Sequence, residues 1–175
     1  MNRLIGLCLA GAAALTLGAC GFRPLYATES TPAGIAVYFE QIYVADIGGR
    51  TGRVLRNQLM DAFTPEGTPK SAAYRLEIEL KDSKEGLVIQ ENADITRYNF
   101  TLAANYKLID AANGQVMNTG VSRAIAGYNV VNEQFSTQIA QRDAEERAAR
   151  ELGEDIRLRL GVFFEKRFGL TNAPG

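Results

Sequence analysis

Tyr74-Arg75-Leu76-Glu77-Ile78-Glu79-Leu80-Lys81 decides the fold of this chain. Apolar side chains fall at 74, 76, 78 and 80, and charged ones at 75, 77, 79 and 81. A period of two is that of a β-strand with one dry face and one wet face. A sheet built from such strands needs a covering layer on one side only.

The chain on either side supplies the other strands and that layer. Residues 82–86 read as a turn, 87–90 as a strand restarting, and 91–94 as an interruption. The strand resumes over 95–109, where Phe100, Leu102, Ala104, Tyr106 and Leu108 share a face. Asn113-Gly114 marks a hairpin, and 115–128 reads as the next strand. From about Phe135 the period lengthens: Ala148, Leu152, Ile156, Leu160 and Phe164 recur every fourth residue, which predicts an amphipathic helix of about 30 residues. Its outer face pairs Asp143 with Arg147, Glu146 with Arg150 and Asp155 with Arg159, each worth a few tenths of a kcal/mol. Gly153 and Gly161 weaken that helix locally.

Upstream, residues 64–69 (Thr-Pro-Glu-Gly-Thr-Pro) form a loop. Leu55, Leu59 and Phe63 place one face of a helix over 50–63, opened by Gly48-Gly49. Residues 35–44, rich in Val, Ile, Tyr and Phe, read as a first strand. The order is β-α-β-β-β-α. It predicts an α/β (α+β) two-layer sandwich: a four-stranded, mostly antiparallel sheet covered by two helices.

The first 19 residues belong to none of this. Arg3 precedes an apolar segment, and Leu17-Gly18-Ala19-Cys20 matches the bacterial lipobox, so 1–19 reads as a signal peptide. Cys20 is the expected site of lipidation. The apolar segment is short and glycine-rich for a membrane span. Two or three acyl chains, at roughly 0.8 kcal/mol per CH₂, would hold the mature chain firmly. Residues 20–34 then form a lipidated N-terminus and tether, 35–168 a single domain, and 169–175 a flexible tail.

Composition narrows the function. Cleavage before Cys20 would remove Arg3 and no other charge, leaving 18 basic against 20 acidic residues. That slight acidic excess argues against nucleic-acid binding. The chain has no histidine, and its two cysteines are Cys8 and Cys20. Imidazole acid/base chemistry, a thiol nucleophile and a zinc site are thereby excluded from the mature domain. No G-x-S-x-G, S-x-x-K or phosphate-loop motif is present. We expect a binding protein without cofactor or metal, and no enzyme.

Four stretches carry a family resemblance: Cys20-Gly21-Phe22-Arg23-Pro24-Leu25-Tyr26; Ala93-Asp94-Ile95-Thr96-Arg97-Tyr98-Asn99; Tyr128-Asn129; and the run of residues 142–152 from Arg142 to Leu152. Together they resemble the lipopolysaccharide-assembly lipoproteins of the LptE family, in their alphaproteobacterial form. The resemblance implies an outer-membrane lipoprotein on the periplasmic side. Such a protein sits in the lumen of the β-barrel LptD, plugs it, helps it assemble and assists lipopolysaccharide delivery to the outer leaflet. A mixed-charge exterior suits a polar barrel lumen, and plain solvation would select it too. The alternative is a pilot or scaffold lipoprotein of another envelope complex.

Five arginines are candidate contacts to lipopolysaccharide or a partner. Arg50, Arg53 and Arg56 make a basic stripe on the first helix. The arginine fork suits lipid A phosphates, and a solvated face is the other reading. Arg97 and Arg123 lie on neighbouring strands, where either could instead pair with Glu91 or Asp94. Phe22, Leu25 and Tyr26 would lie beside the lipid or pack on a protein surface.

Overall fold

The computed structural model describes residues 33–65, 67, 69, 71–87, 97–130 and 134–169. The elements in chain order are α1 (Ala33–Phe39), β1 (Ile42–Val44), α2 (Gly49–Phe63), β2 (Tyr74–Leu87), β3 (Arg97–Asp110), β4 (Val116–Asn129) and α3 (Gln134–Phe168). The four strands form one sheet in the order β1-β2-β3-β4. β1 runs parallel to β2, with Ile42 opposite Tyr74, and the other two pairings are antiparallel. The predicted β-α-β-β-β-α succession is therefore present in a mixed sheet, preceded by one short helix.

That helix corrects the expected strand over 35–44. Val, Ile, Tyr and Phe favour a strand only weakly, and packing overrides that preference. Here Ile35 and Phe39, four residues apart, are both buried, while Val37 between them is exposed. Phe39 stacks on Phe63 at 4.9 Å, and Tyr38 stacks on Phe168 at 4.3 Å. Only Ile42–Val44 remains extended, where backbone bonds to β2 are available.

A second correction concerns residues 82–86. They form no turn: β2 continues to Leu87, pairing with β3 from Tyr74↔Asp110 to Leu87↔Arg97. Over 81–85 its side chains are exposed on both faces, so the apolar alternation that marks 74–80 stops there. The polar run looks like a turn in sequence because, among the described residues, nothing covers that end of the strand. The expected interruption at 91–94 lies outside the described residues.

The β3–β4 hairpin is built as Asn113-Gly114 suggests. Asp110 N–H donates to the Gln115 carbonyl and Gly114 N–H to the Asp110 carbonyl, both at 2.9 Å. The Asp110 and Asn113 side chains accept from the amides of Ala112 and Gln115 at 2.8 Å. Gly114 takes φ 72°, a left-handed conformation that glycine adopts without a Cβ penalty.

One sheet face carries the core. Leu76, Phe100, Leu102, Ala104, Tyr106, Leu108 and Ala124 meet Leu55, Leu59 and Phe63 of α2, and Ala144, Ala148, Leu152, Ile156, Leu160 and Phe164 of α3. The predicted stripe on the long helix is wholly buried. Both covering helices lie on this face, and among the described residues no element covers the opposite one. Among the described residues no helix is long and apolar enough to cross a membrane.

Candidate functional site

The five candidate arginines fall into two sets that the fold keeps apart. Arg50, Arg53 and Arg56 lie on α2. Arg50 bridges to α3: its guanidinium contacts the Glu145 carboxylate and lies 3.4 Å from Glu146. Arg56 Nε lies 3.2 Å from Asp46 in the loop before α2. Two of the three thus already hold carboxylates of this chain. Arg53 is exposed and lines a shallow cleft with Asp46, Gly48 and Asn57.

Arg97 and Arg123 project from the open face of the sheet. Arg123 lies opposite Ala103, and Arg97 opposite Asn129. Arg97 and Ala103 are six residues apart on β3, so the two arginines are separated by about 20 Å along the strands. They share a face but no site. Arg97 lies over Gly127, where a Cβ would fall 2.9 Å from its Nη2. Lys81 flanks Ala103 on the side away from Arg123, so this row of the face is basic at both ends. Glu91 and Asp94, the possible partners of Arg97, are outside the described residues, as is Cys20.

One concavity among the described residues is not pointed to by the sequence periodicity. It is an open groove of about 670 Å³ between β4 and the C-terminal half of α3. Its sheet side is Tyr106, Asn118, Thr119 and Gly120, and its helix wall includes Leu158, Val162 and Phe163. Leu158 is 61% exposed and Val162 48%. Arg159, Lys166 and Arg167 give it a basic rim. The signal was present in sequence: Leu158 and Val162 are apolar, four apart, and off the core stripe. Periodicity alone does not tell such a pair from ordinary surface residues.

Asp155 also lines the groove. It accepts from the buried Ser122 hydroxyl of β4 and from Arg159 Nε at 2.7 Å. Burial acts to raise its pKa, but the two hydrogen bonds and the Arg159 charge outweigh it and hold the carboxyl below its ordinary value. Burial raises Tyr106, with Asp155 adding to the rise and Arg159 opposing it. Ser122 and Asp155 lack a histidine to complete a nucleophilic triad. The pair fastens α3 to β4. Among the described residues no cluster of acidic or thiol side chains is arranged to hold a metal.

The sequence pattern of the LptE family, described as lipopolysaccharide-assembly, matches residues 39–160. The chain belongs to the LptE family. The matched stretch begins in α1 and ends within α3, taking in the whole sheet. Solved structures share the fold of this LptE-family domain. A candidate lipoprotein from Caulobacter crescentus CB15 is 26% identical with a TM-score of 0.63, covering 75% of this chain and 96% of that one. A minor lipoprotein from Acinetobacter baumannii is 17% identical (TM-score 0.53; 72% and 94% covered). Rare lipoprotein B from Shewanella oneidensis is 9% identical (TM-score 0.54; 75% and 98% covered). The chain matches no curated protein sequence.

Proposed function

We propose that this LptE-family chain is an outer-membrane lipoprotein, anchored through Cys20, that plugs and helps assemble an LptD-type β-barrel. In that position it assists lipopolysaccharide transport to the outer leaflet. The family match over residues 39–160 carries the reading. The lipobox at Cys20 and the lipoprotein names of the neighbouring structures agree with it. The domain's faces also suit a polar lumen: β2, β3 and β4 present a mixed-charge open surface, and α3 carries ion pairs along its outer side.

Lipopolysaccharide phosphates would meet Arg97 and Arg123 on the open sheet face, and Arg53 at the mouth of α2. Arg50 and Arg56, whose guanidiniums lie beside Glu145, Glu146 and Asp46, are the weaker candidates. Depletion of the chain tests the whole reading. Surface lipopolysaccharide and correctly folded barrel should both fall, and normal levels of both would refute it.

A further inference from the structure

β4 ends the sheet, and among the described residues no strand pairs with its outer edge. A bare edge presents a row of unpaired N–H and C=O groups, and proteins usually blunt it with lysine, proline or inward charge. Over Val116–Asn129 β4 has no lysine, proline or acidic residue, and its one charged residue, Arg123, points to the open face. Towards its end the Gly127 carbonyl already accepts from Arg147 of α3 at 2.9 Å, so the free part of the edge lies before it. The ladder to β3 shifts register only beside the hairpin, at Leu108/Ile109.

The helix beside this edge leaves two apolar side chains exposed, Leu158 and Val162. The two, one helical turn apart, line the groove beside Asn118, Thr119 and Gly120 of β4, and among the described residues no strand lies beyond β4. On the other face Val121 and Ile125 of β4 are 62% and 51% exposed. A further strand, about 4.8 Å outside β4, would cover the apolar wall of the groove on one side and flank Val121 and Ile125 on the other.

We propose that the β4 edge takes up an extended acidic segment of a partner polypeptide as a fifth strand, with alternate side chains entering the α3 groove. Main-chain hydrogen bonds supply affinity in this mode and the groove supplies selectivity. The acidic character follows from the rim. Arg159 is held by Asp155, but Lys166 and Arg167 have no ion-pair partner among the described residues. A second copy pairing through β4 brings no acid, since β4 contains neither Asp nor Glu. A lipid in the groove leaves the backbone edge unpaired. The proposal concerns a polypeptide contact and holds or fails independently of what the chain delivers.

Hydrogen exchange on the full chain tests it, comparing the chain extracted from membranes with its bound partners and the chain alone. Backbone amides over 116–129 should exchange about tenfold more slowly in the complex. A photoreactive residue at Thr119 should cross-link to an acidic, extended segment of the partner. Lys166→Glu with Arg167→Glu should abolish the added protection, while circular dichroism remains that of the native chain. Equal exchange of β4 in both preparations overturns the proposal. So does a Thr119 cross-link that maps to lipid or to a second copy, or protection that survives the double charge reversal.

Discussion

Gly120 and Tyr106 face each other across the β4–β3 pair, and a Cβ on Gly120 would lie 2.3 Å from Tyr106 Cζ. The ring occupies the space that any other residue at 120 would fill. Both residues line the groove between β4 and α3. Gly120→Ala should therefore destabilise the domain by about 1–3 kcal/mol, the usual range for overpacking. Combining it with Tyr106→Leu should cost less than the two single changes added together. Urea denaturation of all three variants measures this, and simple additivity would show that the ring does not occupy that space.

The Ser122–Asp155–Arg159 cluster predicts a pH dependence. Asp155 has a folded pKa below its ordinary value of 3.8. The stability it contributes is thus present above about that pH and is lost as pH falls through the folded value. Asp155→Asn should be less stable than the native chain at pH 7, with the gap closing between about pH 4 and the lower folded pKa. Thermal melts of both proteins across that window check the sign. A gap that widens on acidification contradicts the assignment.

Phe164 touches Tyr38, Phe39, Tyr74, Phe163 and Phe168. Phe164→Ala should cost about 3–5 kcal/mol. Leu158→Ala, on the same helix but 61% exposed, should stay within about 0.5 kcal/mol. Similar losses for both would mean that Leu158 is buried in the working protein, and measuring Leu158→Ala with and without bound partner separates the two cases.

The two arginine sets should behave differently. Arg50→Ala removes an exposed inter-helix ion pair and should cost less than about 1 kcal/mol. Surface lipopolysaccharide should be unchanged. Arg97→Glu with Arg123→Glu should leave stability within about 0.5 kcal/mol and lower surface lipopolysaccharide. An unchanged surface level in that double variant removes these two residues from the transport reading.

Cys20→Ser should leave the chain in the soluble envelope fraction, without the mass added by acyl groups. Continued membrane partition of the unacylated chain would show that something other than lipid holds it there.

Sequence by itself determined what depends on local period and turn chemistry. The alternation at 74–80, the four-residue stripe of α3 and the Asn113-Gly114 hairpin were legible because neighbouring positions along the chain report them directly. The absence of histidine argues against imidazole catalysis, and the lipobox leads to the expectation of a lipid-anchored binding protein. Tertiary structure decided the rest. Residues 33–39 became a helix because Ile35 and Phe39 are buried on one side and Phe39 meets Phe63 and Phe164, which are far away in sequence. β2 ran through its polar stretch because β3 offered a continuous ladder. Arg50 was engaged because Glu145, 95 residues on, lies beside it. The groove lies between β4 and α3, and among the described residues no strand pairs with the outer edge of β4; both follow only once the strands have paired and the helix has packed on them.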